Sequence, residues 1–196
     1  WVPGDLPDVD LHLPGKGPIQ AHLVAPLVID LLARLDLRAE SGIDEGMSYR
    51  HPQQELHGLA IDINPHAVSC AKLNVAINKL EGKIEVRLGD LFNALKPQEK
   101  FDLIVFNPPY LPDEDSAENW LSKAWNGGPT GMCTIKAFLG KVKSFLKESG
   151  RVLFVHSSLS GVDPISNLEH FGLSGVIKAT RSLSFETLYL IEAVPV

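Results

Sequence analysis

Three polar signals in the sequence follow apolar runs, and their residue types suit the binding of a nucleoside and of a planar nitrogen group. Asp62 ends the run LHGLAID, Asp90 follows IEVRL and a glycine, and Asn107-Pro108-Pro109-Tyr110 follows FDLIVF. A carboxylate at Asp62 can accept both hydroxyls of a ribose, and Asp90 can accept from an adenine amine with Leu91 beside the ring. Each signal alone also fits a turn or a helix cap, but turns do not predict three of them at successive strand ends.

The segment from Asn107 to Tyr110 is rich in hydrogen-bond acceptors and poor in donors. Asn107 offers an amide oxygen, and the two prolines lack an N–H, so their carbonyls can only accept. Pro109 disfavours the helical conformation at Pro108 and so keeps that carbonyl turned into the site. Tyr110 adds a flat face. These groups suit a neutral, planar amine or amide that donates to the Asn107 oxygen and the Pro108 carbonyl while Tyr110 packs against it.

The elements that must position these residues alternate between strands and helices. After an irregular lead-in over residues 1–20, the apolar spacing predicts helices over 21–35, 135–146 and 164–171, and one opened by Asn64-Pro65 with Val68, Leu73 and Ile77 along one side. The predicted strands are 56–63, 84–88, 101–106, 151–155, 173–179 and 185–194. This order predicts an α/β fold with a mostly parallel, twisted sheet and helices on both faces. Because only 180–184 separate the last two strands, one of them should run antiparallel.

Composition narrows the class of protein. The chain has 196 residues, a formal net charge of −6 and a pI near 5.6, which argues against a duplex-binding module with a basic face. The two cysteines, Cys70 and Cys133, form no disulfide framework, so we expect a reducing cytoplasm. The seven histidines form no spaced cluster, and no metal site is predicted. No membrane span or secretory signal is evident, and we expect a single domain over 21–196.

Several stretches together resemble a known family: AIDINPHAVSCAKLN, GDLF, FDLIVFNPPYLP, AWNGGPTG and SFETLYLIEA. The sequence is similar to Rossmann-like class I S-adenosylmethionine-dependent methyltransferases that carry an N-P-P-Y motif. Within that superfamily it resembles the HemK family of release factor glutamine methyltransferases, and most of all its archaeal and eukaryotic branch. The resemblance implies methylation of a glutamine on a translation release factor. It also implies a small zinc-binding activator subunit as a possible partner.

The resemblance assigns roles to the residues already singled out. It implies that Asp62, with Ile63 beside it, binds the ribose of S-adenosyl-L-methionine, and that Asp90 and Leu91 bind the adenine. Asn107 to Tyr110 would hold the substrate amide at the catalytic centre, with Asn107 also next to the cofactor. The stretch AWNGGPTG, 124–131, would lie on a loop beside the acceptor site; its plainer interpretation is a glycine-rich linker. Trp120 and Trp125 either line the substrate groove or pack locally.

The sequence departs from the family at the glycine-rich loop that follows the first strand. The best match is LDLRAESG, where Arg38 and Glu40 replace glycines and Gly42 alone remains for the cofactor. The segment is either a diverged or incomplete half-site, or simply the end of the preceding helix. Three alternative functions therefore stay open: methylation of adenine in nucleic acid, methylation of lysine in a protein, and a cofactor-poor homologue that acts as a binding or scaffold subunit.

Overall fold

The computed structural model describes residues 19–24, 56–113 and 119–196, the first range by its backbone alone. Seven strands form one sheet in the order β3-β2-β1-β4-β5-β7-β6. Strands β1 to β5 are parallel, whereas β7 pairs antiparallel with both β5 and β6. The predicted mostly parallel α/β sheet with an antiparallel strand near the C-terminus is confirmed. The strands are β1 (Ile19–Val24), β2 (Leu56–Asp62), β3 (Ile84–Leu88), β4 (Phe101–Phe106), β5 (Leu146–Ser157), β6 (Leu173–Ser182) and β7 (Thr187–Pro195).

Strand β1 corrects the prediction for the N-terminal region. Residues 19–20 were expected to be irregular and 21–24 to begin a helix, but all six form a strand between β2 and β4. The leucine spacing that suggested a helix lies mostly after Val24, in residues outside the described part. Parallel neighbours on both edges supply hydrogen bonds that a local apolar pattern cannot reveal, so tertiary pairing overrides the helix prediction. β1, the strand between β2 and β4, therefore ends at Val24, before LDLRAESG begins at Leu35.

Helix α1 (Pro65–Ile77) begins as the sequence predicts. The side chain of Asn64 accepts from the backbone N–H of His66 at 2.9 Å, and proline occupies the first helical position. The buried stripe is, however, Val68, Ala71 and Val75. Leu73 and Ile77, predicted to share the stripe with Val68, are 59% and 67% exposed. At 3.6 residues per turn these two lie on the opposite side of the helix from the stripe, so that part of the prediction is wrong.

The C-terminal half contributes a short helix, α2 (Trp120–Lys123), and a longer one, α3 (Cys133–Val142). The predicted helix over 135–146 is shorter than expected, because Lys143–Phe145 form a 3-10 turn and β5 already begins at Leu146. Gly150 lies inside β5. An added Cβ there would meet the carbonyl oxygen of Phe101 at 2.6 Å, so close backbone approach explains this glycine. Of 164–171, only Leu168–Phe171 is helical, as a 3-10 turn.

The core fills the space between α3 and the centre of the sheet. The ring of Phe138 stacks on those of Phe92 and Phe106, with centroids 5.2 and 4.3 Å apart. Four of the six residues of β4 are buried, which is the two-sided burial predicted from its continuous apolar run. No helix in the described ranges is long and apolar enough to cross a membrane.

Candidate active site

The register of the sheet brings the predicted polar residues to one edge. Val24, the last residue of β1, pairs with Ile61 on one side and with Phe106 on the other. The residues that follow these partners, Asp62 and Asn107, therefore leave the sheet at the same level. One strand separates them, so their backbones lie two strand spacings, about 10 Å, apart. This is the carboxyl edge of the parallel strands, where open α/β sheets bind their ligands.

Asp62 is a half-buried carboxylate fixed by its local backbone. Its Oδ1 accepts from the backbone N–H of Asn64 at 2.7 Å, while its own carbonyl accepts from Gly89 N at 3.0 Å. Burial raises the pKa of Asp62, and the hydrogen bond from Asn64 partly offsets that rise. The carboxylate is thus oriented by β2 and the start of α1, and its remaining lone pairs can accept from a ligand.

Asp90 and Leu91 follow the neighbouring strand at the same edge. Leu88 pairs with Asp62, so Asp90 lies just beyond it. Asp90 precedes the 3-10 turn Leu91–Ala94, yet its side chain makes no capping hydrogen bond. Leu91 has a φ of 47°, a left-handed conformation that is uncommon for leucine. A carboxylate not used as a cap and a strained neighbour argue against a purely structural turn, because such strain concentrates at functional sites.

The Asn107-to-Tyr110 segment follows β4 at this edge of the sheet. Asn107 is exposed, Pro108 is buried, and Tyr110 is half-buried against the core. Among the described residues, no backbone N–H donates to the carbonyl of Pro108, which leaves it available to a ligand. Burial, and secondly the negative charge of Glu186, raises the pKa of Tyr110. The phenol therefore stays neutral over the physiological range.

The AWNGGPTG stretch packs directly on this motif. Leu111 N donates to Trp125 O at 2.9 Å, and Gly127 N donates back to Leu111 O at the same distance. A Cβ on Gly127 would lie 2.7 Å from the carbonyl oxygen of Pro109, and one on Gly131 would collide with that of Tyr110. Of the two interpretations of this stretch, the loop beside the acceptor motif is the correct one. Its glycines permit close backbone contact rather than flexibility.

Other predicted residues flank this edge or lie outside the described part. Ile63 follows Asp62 and is 46% exposed. Trp120 starts α2 and is partly exposed, with the ammonium of Lys123 lying 4.8 Å from the centre of its ring. Gly42 and the whole of LDLRAESG lie outside the described residues. In the described ranges no three His, Cys, Asp or Glu side chains come together as a metal site.

Sequence analysis gave no role to Glu186, which the structure places at the same edge. Glu186 is buried in the turn between β6 and β7, and Ser157 Oγ at the end of β5 donates to its Oε2 at 2.6 Å. The signal for it was indirect. A strand that returns antiparallel to β5 must bring its preceding turn to the carboxyl edge. The glutamate also stands in SFETLYLIEA, one of the stretches that carry the family resemblance, although no role was assigned to it there.

Comparison with known families decides the class of protein. The family model described as methyltransferase small domain matches residues 35–185, well over half of the chain. The chain belongs to this methyltransferase family. The recognition made from the sequence motifs is confirmed, and so is the class I methyltransferase fold.

Two of the three relatives described here are named glutamine methyltransferases. It is 36% identical over 138 residues to a Methanocaldococcus jannaschii protein provisionally named protein N5-glutamine methyltransferase, covering 69% of this chain and 68% of that one. It is 32% identical to a release factor glutamine methyltransferase of Koribacter versatilis, covering 77% and 57%. It is 30% identical to human methyltransferase HEMK2, covering 68% and 64%. The chain thus spans less than two-thirds of the length of the last two proteins.

Solved structures support the fold. A complex from E. cuniculi, Mtq2 with Trm112, described as responsible for methylation of the eRF1 translation termination factor, matches this methyltransferase with a TM-score of 0.55 and 19% identity. The match covers 93% of this chain and 88% of that chain. A ribosomal protein L11 methylase from Lactobacillus delbrueckii gives a TM-score of 0.53 over 89% and 69%. At such identities the likeness establishes the class I methyltransferase fold.

Proposed function

We propose that this methyltransferase transfers a methyl group from S-adenosylmethionine to the side-chain nitrogen of a glutamine in a translation release factor. The observation that carries the proposal is the common level of Asp62 and Asn107 at the carboxyl edge. Asp62 is a carboxylate suited to a ribose, and Asn107 begins an acceptor motif suited to an amide. Their backbones lie two strand spacings, about 10 Å, apart. The names of the relatives support glutamine as the methylated residue.

The described residues fit the nucleoside half of the cofactor. Asp62 would accept the ribose hydroxyls through the lone pairs that its bond to Asn64 leaves free, with Ile63 beside the sugar. Asp90 would accept from the adenine amine, and Leu91 would lie against the ring. Gly42 would approach the methionine part, as the family resemblance implies. The chemistry that S-adenosylmethionine supplies when bound is an electrophilic methyl group on a sulfonium.

The acceptor motif would act by positioning the amide. The side-chain oxygen of Asn107 and the carbonyl oxygen of Pro108 would accept hydrogen bonds from the two N–H groups of the glutamine amide. These two bonds would fix the direction of the nitrogen lone pair. Partial positive charge would develop on that nitrogen as the C–N bond forms and the methyl–sulfur bond breaks, so acceptors aimed at its hydrogens would stabilise the transition state more than the ground state. The nitrogen would then lose one proton to solvent, which leaves a neutral N-methyl amide. Tyr110 would pack against the planar amide. Pro109 holds the Pro108 carbonyl in an extended conformation and so completes the constraint.

A release factor substrate has consequences for the partners of this methyltransferase and for where the reaction takes place. The E. cuniculi neighbour is a complex with a second protein, which supports a small activator subunit here as well. The family resemblance adds that such a subunit binds zinc. A release factor substrate would place the reaction in the cytoplasm. The match over 35–185 supports one methyltransferase domain within 21–196.

Transfer of tritium from labelled S-adenosylmethionine tests this proposal. Three substrates are compared: a release-factor domain with an exposed Gly-Gly-Gln loop, a lysine-rich protein tail, and DNA or RNA oligonucleotides. The proposal predicts label on the release-factor domain alone, with or without an added activator. Label on oligonucleotides would support adenine methylation, and label on the tail would support lysine methylation. Absence of both label and calorimetric cofactor binding would favour the scaffold alternative.

A further inference from the structure

The turn between β6 and β7 lies at the same edge of the sheet as the acceptor motif. Strand β7 runs antiparallel to β5, so the turn before β7 returns to the carboxyl end of β5. Ser182 and Thr187 form the last pair of the hairpin, and Leu183 N donates to Glu186 O at 2.7 Å. Thr187 N donates to Ser158 Oγ at 2.9 Å, which ties the turn to the residues that follow β5.

Burial in this turn is the reverse of what hydrophobicity predicts. Phe185 is 75% exposed and Leu183 is 41% exposed, whereas Glu186 between Phe185 and β7 is only 9% exposed. Removing a carboxylate from water is costly, and removing a phenylalanine is favourable. The turn therefore carries a cost that stability alone does not explain. A carboxylate that is buried while a neighbouring phenylalanine is exposed is therefore a candidate for a functional role.

The contacts of Glu186 leave acceptor capacity unused. Ser157 Oγ donates to Oε2 at 2.6 Å, and among the described residues no Lys, Arg or His forms an ion pair with this carboxylate. A carboxylate has four lone-pair positions on two oxygens. Within the described part of the chain no hydrogen bond to Oε1 is found, so this oxygen can accept from a ligand. The serine bond holds the group in one orientation without neutralising its charge.

Ser157, the residue that holds the Glu186 carboxylate, lies close to the acceptor motif. Phe106 pairs with Phe154, so Asn107 lies level with Val155, and Ser157 is two residues further on the same face of the neighbouring strand. One strand spacing and two residues of rise give about 8 Å between the backbones of Asn107 and Ser157. The negative charge of Glu186 also contributes to the raised pKa of Tyr110, which places the carboxylate within electrostatic reach of the motif.

We propose that Glu186 is a substrate-binding residue whose free carboxylate oxygen accepts an N–H of the substrate chain next to the methylated amide. This assignment rests on the function proposed above and adds a second contact to it. The backbones of Asn107 and Ser157 are about 8 Å apart and an extended chain rises about 3.3 Å per residue, so a donor that reaches the carboxylate held by Ser157 would lie within a few residues of the methylated side chain. A main-chain N–H and a basic side chain both offer this chemistry.

Glu186→Gln tests the role with little change in shape, since the amide oxygen can still accept from Ser157. Using a synthetic peptide with a central Gly-Gly-Gln and any activator found to be needed, we expect KM for the peptide to rise about tenfold, as for loss of one charge-assisted hydrogen bond. We expect kcat to stay within about twofold, because the contact exists in both the bound and the transition state. The cofactor Kd and the Tm should not change.

The matched control is Glu148→Gln, an exposed glutamate at the start of β5, at the opposite end of the sheet. Its KM should equal that of wild type. Two further peptides distinguish the donors: one is N-methylated on main-chain nitrogens near the glutamine, and the other has its basic residues replaced by alanine. The peptide change that raises KM in wild type, and has no further effect in Glu186→Gln, identifies the donor.

Two results would overturn the assignment, and they differ from failure of the proposed function. If wild type methylates the peptide and Glu186→Gln has the same KM, Glu186 does not bind substrate although the function stands. If Glu186→Gln loses cofactor affinity or Tm together with activity, its role is structural. If wild type labels neither peptide nor release-factor domain, the proposed function fails and this assignment falls with it.

Discussion

Asp62 offers a single side chain on which the cofactor proposal can be tested. Asp62→Ala should weaken S-adenosylmethionine binding by about 1.5–3 kcal/mol, the loss of charge-assisted hydrogen bonds to the ribose. Isothermal titration calorimetry measures the change directly. Glu81→Ala, an exposed residue after α1, serves as the control and should leave the affinity as in wild type. Equal affinity of wild type and Asp62→Ala would show that the ribose role is wrong.

At the level of residues, the sequence located Asp62, Asp90 and Asn107 because each comes at or just after the end of a run that becomes a parallel strand. The carboxyl ends of parallel strands lie at one edge of the sheet, so knowing which residues follow each strand was enough to predict that these three lie together. Glu186 could not be found in the same way. Its position depends on the antiparallel return of β7 and on a turn that buries the glutamate and exposes Phe185, and neither leaves a periodic pattern.

Among the elements, the 124–131 loop makes a sharp prediction about the acceptor motif. Gly131 has a φ of 70°, and a Cβ there would collide with the carbonyl oxygen of Tyr110. Gly131→Ala should therefore displace the motif, lower kcat and destabilise the fold by about 1–3 kcal/mol, measured by enzyme kinetics and thermal unfolding.

Gly140→Ala is the matched control for that variant. Gly140 lies within α3, and an added Cβ would meet nothing within 4 Å. Replacing a glycine in a helix by alanine stabilises by about 0.5–1 kcal/mol, so this variant should keep wild-type kcat and gain slightly in Tm. If the two variants behaved alike, the loop would not be supporting the motif.

Element by element, β2, β3 and β4 were predicted with bounds that agree within a residue. β5 was predicted too short, because it begins at Leu146 and not at Arg151, and β1 was not predicted as a strand at all. β1 was assigned to a lead-in and a helix, because its short apolar run continues into a leucine-rich segment with helical spacing. β1 is a strand because it pairs with β2 on one side and β4 on the other, and this pairing cannot be read from the sequence of the segment itself.

At the scale of the whole molecule, the strand order and register of one sheet fix the spacing between the residues proposed to bind the cofactor and those proposed to bind the substrate. In the proposed function, β2 and β3 would position the nucleoside, and β4, β5 and the β6–β7 turn would position the acceptor. The fold class and its antiparallel C-terminal strand could be predicted because strands alternate with helices until the last pair. The glycine-rich loop could not be assigned in the same way, since Arg38 and Glu40 break its pattern.

The most direct test of the central claim locates the methyl group on the product. A release-factor domain with an exposed Gly-Gly-Gln loop is incubated with S-adenosylmethionine and the methyltransferase, digested, and sequenced by tandem mass spectrometry. The account predicts the mass of one methyl group on the side-chain nitrogen of that glutamine with wild type. It predicts none with Asn107→Ala, which removes an acceptor from the reacting amide but spares the contacts at Asp62 and Asp90. A methyl group on lysine or on another residue, or equal methylation by Asn107→Ala, would contradict it.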